Sequence, residues 1–206
     1  MSGVVEEKSM KSYPATVILL GILFCYFAIE LASGALGNDV TLLHLGAIPD
    51  SGDLQGQYWR LFTFSLLHSG YLHLLTNCVL LWWLGRIVEQ RVGGILMVSI
   101  YIASVLSGGL MITFWKSLHP TLSVSLGASD GVFGLLSSAL VLLYRPAAAG
   151  FGERPRIRKT LWLILGVGIA ISFLPGISFV GHLAGLVCGA ILGLIVPVSA
   201  TKEKTS

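Results

Sequence analysis

An apolar run near the middle of the chain opens with LGASDGVFG, residues 126–134. The run is long enough to cross a membrane, where hydrocarbon offers the hydroxyl of Ser129 no hydrogen-bond partner. A second apolar run opens with GHLAG, residues 181–185, and contains a lone histidine, His182. Each run therefore begins with one polar side chain set among glycines. This pattern indicates one site shared by two helices.

The composition is that of an integral membrane protein. Of the 206 residues, 54% are hydrophobic and only 11% are charged, whereas soluble domains carry roughly 25% charged residues. The net charge of +3 is small and concentrated in loops, so no nucleic-acid binding is implied. Cys25, Cys78 and Cys188 fall within apolar runs, with neither a disulfide framework nor a metal-ligand spacing. We expect an all-α bundle in the lipid bilayer, without metal or cofactor.

Six apolar segments approach the length of about 20 residues that crosses a bilayer as a helix. We predict a membrane domain over residues 14–198, between an N-terminal tail (1–13) and a C-terminal tail (199–206). The predicted spans are 14–33, 71–88, 95–115, 126–144, 160–174 and 181–198.

Lysine and arginine are concentrated in alternate connections. Eleven of the 13 fall on the side of the N-terminus, and only Arg60 and Lys116 fall on the other side. Because positively charged loops stay in the cytoplasm, both termini are expected there, and His73, Ser129 and His182 share the outer side. The eleven are Lys8, Lys11, Arg86, Arg91, Arg145, Arg154, Arg156, Arg158, Lys159, Lys202 and Lys204.

The segment 35–70 is long for a loop and half apolar. It contains Trp59 and Arg60, a pair that suits the lipid headgroup region. We expect this first outer loop to lie partly in the membrane as short helical pieces. The alternative is a plain solvated loop.

Span six carries a glycine at every fourth position, on one face of its helix. Small residues let two membrane helices approach closely, and span four offers Gly127, Gly131 and Gly134 to meet this stripe. Such packing would bring His182 toward Ser129. Glycine stripes also serve packing alone, and a serine can simply cap a helix. The stripe consists of Gly181, Gly185, Gly189 and Gly193.

A second polar cluster leads into span two. His73 and Asn77 are four residues apart and share a helical face, while His68 is expected on the lead-in. A buried amide is costly without partners, so Asn77 is expected to face the bundle interior. The cluster either pins helices together or serves a function, and intramembrane polar residues favour the second interpretation.

These residue types suit acyl transfer. A serine becomes nucleophilic when a base takes its proton, and histidine suits that task near neutral pH. The oxyanion then needs hydrogen-bond donors aimed at it. We predict Ser129 and His182 as the catalytic pair, with the Ser129 backbone N–H, Asn77 and His73 as oxyanion donors.

At these positions the chain resembles the rhomboid family of intramembrane serine proteases. The resemblance runs from Trp59 to Gly189. Each piece is weak alone, but their order on one side of six spans is specific. The pieces are Trp59-Arg60, then His68, His73 and Asn77, then Gly127-Ala128-Ser129, and finally His182, Gly185 and Gly189.

The resemblance implies a six-helix rhomboid-like bundle and a Ser–His dyad without a third acid, here Ser129 and His182. It implies oxyanion stabilisation by Asn77, His73 and the Ser129 backbone. It also implies a water-filled cavity that opens outward, with the fifth span and nearby loops gating substrate entry. Substrates would be single-span membrane proteins with helix-destabilising residues near the cut. Phe133 matches a position where the family places an aromatic ring against the dyad histidine; a core- or lipid-facing Phe is the alternative.

Two acids within the spans need comment. Asp130 stands where the family usually has glycine, with Gly131 one place later. In a first helical turn its charge suits the helix dipole. The Asp130 side chain points toward the outer loop and water, or tunes His182, or cripples catalysis. Glu30 is expected to reach the membrane interface and is assigned no role.

Three functions compete. The first is an intramembrane serine endopeptidase that cleaves transmembrane segments, located in a bacterial inner membrane. The second is a rhomboid-type pseudoprotease that binds membrane clients without cutting them, which Asp130 alone favours. The third is a small transporter or proton pathway. That class is expected to carry charges near the midplane and internal repeats, and the sequence has neither feature.

Overall fold

The computed structural model describes residues 12–145 and 155–198. The predicted C-terminal tail, most of the N-terminal tail and five of the basic residues predicted to be cytoplasmic lie outside these ranges, namely Lys8, Lys11, Arg154, Lys202 and Lys204. The described residues form α-helices, one 3-10 turn at Phe64–Leu66 and one isolated β-bridge, in agreement with the all-α prediction. The helices are α1 (Pro14–Ala32), α2 (Asp39–Leu45), α3 (Arg60–Thr63), α4 (Tyr71–Val92), α5 (Gly94–Leu118), α6 (Ser129–Tyr144), α7 (Pro155–Ile171) and α8 (Phe179–Ile195).

Three of these helices, α1, α4 and α5, are long and apolar enough to cross a membrane. Helices α6 and α8 are apolar but shorter, with 16 and 17 residues. A helix of 16 residues is about 24 Å long, less than the roughly 30 Å of a hydrocarbon core. The protein is therefore a polytopic membrane protein, and the count of six spans stays a prediction.

Several helix ends differ from the apolar segments because backbone and packing signals override hydropathy. Helix α4 continues through the buried Glu89 to Val92 and ends at Gly93, whose φ is +85°. Helix α6 begins only at Ser129. Gly127 cannot belong to the helix because its φ is +130°, a backbone conformation that residues with a Cβ rarely adopt.

Helix α6 lies at the centre of the bundle. All but three of its 16 residues are buried, and α4, α5, α7 and α8 pack around it. The glycine stripe of α8 faces it: a Cβ added at Gly185 would meet the Asp130 carbonyl oxygen, and one added at Gly189 would meet the Gly134 carbonyl oxygen. The backbones of α6 and α8 thus touch directly, as the stripe predicted.

Of the three glycines predicted to meet this stripe, only Gly134 does so. Gly131 instead faces the ring of Tyr101 on α5, and Gly127 precedes the helix and faces the ring of His73. Successive helical residues are about 100° apart, so residue 131 lies one step round from the row that faces α8. The prediction was wrong for Gly127 and Gly131.

The segment between α1 and α4, predicted to be the first outer loop, contains short helical pieces, as expected, in α2, α3 and the 3-10 turn. Nη1 of Arg60 ties the segment together by donating to the carbonyl oxygens of Leu43 at 2.6 Å and Ala47 at 2.8 Å. Ile48 forms the β-bridge with Ser125, four residues before α6. The segment between α1 and α4 therefore holds in place the residues that lead into Ser129. The location of this segment in the membrane stays a prediction.

Candidate active site

Ser129 and His182 are in direct contact at one end of the bundle. Ser129 is the first residue of α6, and His182 lies in the first turn of α8. Ser129 Oγ lies 2.8 Å from Nε2 of His182. The Ser129 hydroxyl therefore forms a hydrogen bond with the His182 imidazole and does not cap helix α6. In α8 the capping role belongs to Ser178, whose Oγ accepts a hydrogen bond from the N–H of Gly181.

Two further side chains hold the imidazole of His182, which is only 7% exposed. Phe133 stacks on the ring face, with centroids 4.2 Å apart and planes inclined by 16°. This is the contact that the resemblance implied. Ser172 places its Oγ 2.6 Å from Nδ1. Sequence reasoning missed Ser172, because a serine at the end of an apolar helix carries no signal for a contact ten residues later.

His73 is oriented by the turn that precedes α4. The backbone N–H of Ser69 donates to Nδ1 of His73 at 3.3 Å, and Ser69 Oγ lies 3.1 Å from the same nitrogen. A backbone N–H can only donate, so Nδ1 accepts and the neutral ring carries its proton on Nε2. A Cβ built on Gly127 would lie within 4 Å of both His73 Nε2 and Ser129 Oγ. The ring thus presents an N–H donor beside the serine.

Asn77 lies one turn further along α4 and is 4% exposed, so it faces the bundle interior as expected. Its Nδ2 donates to the carbonyl oxygen of His73 at 3.0 Å. An amide nitrogen carries two protons, so this bond orients the group and leaves one N–H available. Asn77 and His73 therefore lie on the same helix face and are also linked by this hydrogen bond.

His68 lies on the lead-in to α4, as predicted, and is fully buried. Its ring meets the edge of the His73 ring, with centroids 5.0 Å apart. Burial, with a smaller contribution from His73, lowers the pKa of His68 to about 3. The His68 ring is therefore neutral at physiological pH and packs against His73 without adding a charge beside it.

Glu30 of α1 holds the backbone at the same place. Both of its carboxylate oxygens accept from the N–H of His68, at 3.0 and 3.1 Å. Glu30 is fully buried, so the expectation that it reaches the membrane interface was wrong. A carboxylate inside an apolar span was the available signal, but its partner lies 38 residues away.

Asp130 points into the bundle and is 2% exposed. Its carboxylate occupies the space that two glycines leave open: a Cβ added at Gly108 of α5 or at Gly181 of α8 would meet it. Of the three interpretations of Asp130, the one in which its side chain points toward water was wrong, because the position after Ser129 faces α5 and α8. In the described part of the chain, no hydrogen bond joins Asp130 to His182.

Within residues 12–145 and 155–198, no group of three or more His, Cys, Asp or Glu side chains is arranged to hold a metal ion. The site consists of the Ser129 hydroxyl hydrogen-bonded to the His182 imidazole, with the imidazole N–H of His73 and the amide of Asn77 on the neighbouring helix α4. Such a set suits acyl transfer.

Comparison with protein families and curated proteins agrees with this geometry. The family model of the Rhomboid domain matches residues 55–198. Rhomboid protease GluP of Bacillus subtilis (strain 168) is 34% identical over 202 residues, which cover 92% of this chain and 36% of GluP. RHOMBOID-like protein 5 of Arabidopsis thaliana is 32% identical over 156 residues, which cover 76% of this chain and 50% of that protein.

Rhomboid protease AarA of Providencia stuartii is more distant in sequence but similar over more of its own length. It is 22% identical over 197 residues, which cover 87% of this chain and 70% of AarA. The chain spans half or less of GluP and of RHOMBOID-like protein 5. Since the family model covers more than half of this chain, the protein belongs to the rhomboid family.

Proposed function

We propose that this protein is an intramembrane serine endopeptidase that cleaves transmembrane segments of single-span membrane proteins. The observation that carries the proposal is the 2.8 Å contact between Ser129 Oγ and His182 Nε2, in a family that contains named proteases. The proposal includes six spans, both termini in the cytoplasm and a location in a bacterial inner membrane, as the charge distribution and apolar runs favour.

In the proposed reaction, Nε2 of His182 takes the proton of Ser129 as Oγ attacks the scissile carbonyl carbon. The protonated Nε2 then gives this proton to the leaving amine nitrogen, the C–N bond breaks, and an ester remains on Ser129. Water attacks the ester after giving a proton to the same nitrogen. The acid product then leaves as Nε2 returns the proton to Ser129 Oγ.

The tetrahedral oxyanion needs donors close to Ser129. The backbone N–H of Ser129 lies in the first turn of α6, where a helix supplies no acceptor of its own. Nε2–H of His73 and the second N–H of Asn77 are the other two donors in the proposal. Removing one such donor typically costs about 3 kcal/mol of transition-state stabilisation.

Substrate is proposed to enter beside α7. Among the described residues of this helix, only Leu161 is buried. The others are at least partly exposed. A helix with so little buried surface moves at low cost. This supports the gating role that the family resemblance implied for the fifth span.

Asp130 gives the pseudoprotease alternative little support. Its carboxylate packs against Gly108 and Gly181, and both Ser129 and His182 are present. A protein that only binds clients would not need the Ser129 hydroxyl and the His182 imidazole to be in contact.

The proposal is tested with a fluorophosphonate probe and with a model single-span substrate in liposomes. The full chain is expected to be labelled and to cleave the substrate, while Ser129→Ala and His182→Ala fall to background in the cleavage assay. Ser137→Ala, a buried serine on the same helix, is the control and keeps activity. Labelling that survives Ser129→Ala removes Ser129 as nucleophile. A folded wild type that binds substrate without cutting it supports the pseudoprotease.

A further inference from the structure

Ser172 makes a hydrogen bond with the ring of His182 to which the reaction above gives no role. It directly follows α7 and is 2% exposed. Its Oγ lies 2.6 Å from Nδ1 of His182 and 2.7 Å from the carbonyl oxygen of Gly168. The hydroxyl is therefore within hydrogen-bond distance of both groups at once.

The Gly168 carbonyl decides the direction of both bonds. A carbonyl oxygen can only accept, and a hydroxyl has a single proton. If Ser172 gave its proton to His182, two oxygens would face each other at 2.7 Å with no proton between them. The proton therefore goes to Gly168, and Ser172 Oγ accepts from Nδ1–H of His182.

This direction fixes the state of the catalytic ring. A neutral imidazole carries one proton, so protonation of Nδ1 leaves Nε2 bare. Nε2 is the nitrogen that lies 2.8 Å from Ser129 Oγ. The ring is thus held as a base toward Ser129, and the opposite tautomer would aim an N–H at the serine and could not take its proton.

The other contacts of the ring do not make this choice. Phe133 fixes the plane of the imidazole by stacking, but its apolar face offers neither nitrogen a strong acceptor. No carboxylate is hydrogen-bonded to His182 in residues 12–145 and 155–198. The selection of the tautomer therefore rests on Ser172.

We propose that Ser172 is a positioning residue of the active site, which holds His182 with Nδ1 protonated and Nε2 free to accept the proton of Ser129. The proposal rests on the proposed protease function. A neutral hydroxyl occupies the place that a carboxylate takes in a Ser-His-Asp triad. Because Nδ1–H donates to Ser172 both before and after Nε2 is protonated, the contact needs no rearrangement during the reaction.

The kinetic test compares Ser172→Ala with Ser137→Ala. Ser137 is the matched control, because it is also buried and its Oγ also donates to a backbone carbonyl, that of Gly134 at 3.0 Å. Ser172→Ala is expected to lower kcat about tenfold, the effect of one neutral hydrogen bond, with KM unchanged. Ser137→Ala is expected to keep the wild-type kcat.

The second test reads the tautomer without relying on activity. ¹⁵N NMR of the full chain labelled in its five histidines distinguishes a proton-bearing ring nitrogen from a bare one, and His182→Asn identifies the His182 signals. At neutral pH the wild type is expected to show a protonated Nδ1 and a bare Nε2. In Ser172→Ala the two nitrogens are expected to move toward a mixture of tautomers.

Each result decides the matter. A bare Nδ1 in wild-type His182, a wild-type kcat in Ser172→Ala, or an equal loss in Ser137→Ala overturns the role of Ser172. If Ser172→Ala does not fold, the wild-type spectrum alone still decides. Cleavage that survives Ser129→Ala overturns the protease proposal instead, so the two failures are distinguishable.

Discussion

Helices α8 and α7 contact the central helix α6 in opposite ways. Helix α8 meets it backbone to backbone, with no room for a Cβ at Gly185 or Gly189. Helix α7 meets it through a side chain: a Cβ added at Gly168 would meet the end of the Phe133 ring. The first interface is closed by backbone atoms, which cannot give way, whereas the second is bounded by the end of a side chain, which can.

This difference separates two tasks within one small bundle. The close contact fixes the position of His182 relative to Ser129, because two touching backbones cannot shift without losing their packing. In the proposed function, the looser contact lets α7 move so that substrate enters from the membrane. Ser172 belongs to the loose side and touches the dyad on the close side, so it joins the two regions.

The largest effect is expected from Gly189→Ala, which breaks the close interface. The new Cβ would meet the carbonyl oxygen of Gly134, and a backbone atom cannot rotate away. Overpacking of this kind costs about 1–3 kcal/mol of stability. The displaced dyad is expected to lose about 100-fold in kcat, since a shift near 1 Å is enough for that. Thermal unfolding in detergent and liposome cleavage measure the two effects.

Gly166→Ala is the matched control on α7, because an added Cβ there would have open space. It is expected to leave both unfolding temperature and kcat near the wild-type values. Equal losses in the two variants would show that the loss in Gly189→Ala does not come from the contact between α6 and α8.

A smaller effect is expected where α5 joins the close region, at the pair Gly108 and Asp130. Gly108→Ala places a Cβ against the Asp130 carboxylate and is expected to destabilise the wild type. In an Asp130→Gly background the same substitution is expected to be tolerated. The coupling in a double-mutant cycle should reach about 1–2 kcal/mol, and additive effects would disprove the contact.

Asp130→Gly alone addresses the two remaining interpretations of this residue. Since no hydrogen bond links the carboxylate to His182 in the described residues, kcat is expected to stay near the wild-type value. A large gain in kcat would identify Asp130 as a residue that cripples catalysis, and a large loss would identify it as one that tunes His182.

Of the variants expected to lower kcat, Phe133→Leu has the smallest expected effect, and it weakens the contact between the two regions. The loss of ring stacking on His182 removes about 0.5–1.5 kcal/mol, or roughly 2- to 13-fold in kcat if the stack persists in the transition state. Phe27→Leu is the control, since Phe27 is also buried and also contacts an aromatic ring, that of Tyr71. Phe27→Leu is expected to lower stability but not kcat.

Much of the fold could be predicted because its signals are local in sequence. Apolar runs marked the membrane helices, although α6 and α8 proved shorter than a full span. The spacing of four in α8 identified the face that packs on α6. The same reasoning failed for Gly131, because a glycine shows that some neighbour is close but not which helix supplies it.

The site was predictable to the extent that its residues begin helices and are chemically unusual there. Ser129, His182, His73 and Asn77 stood out because hydrocarbon has no partner for their polar atoms. Glu30 stood out for the same reason, but its partner is a backbone N–H. Since every residue except proline carries that group, no residue type marks the partner in the sequence.

The sequence by itself determined a helical membrane bundle of the rhomboid family and the pair Ser129 and His182, because periodicity and polarity are properties of single helices. The tertiary structure decided the direction of Asp130, the support of His68 by Glu30 and the contact of Ser172 with His182. Each of these depends on which helix covers a given face. That is set by close packing among all the helices together, and no short stretch of sequence contains it.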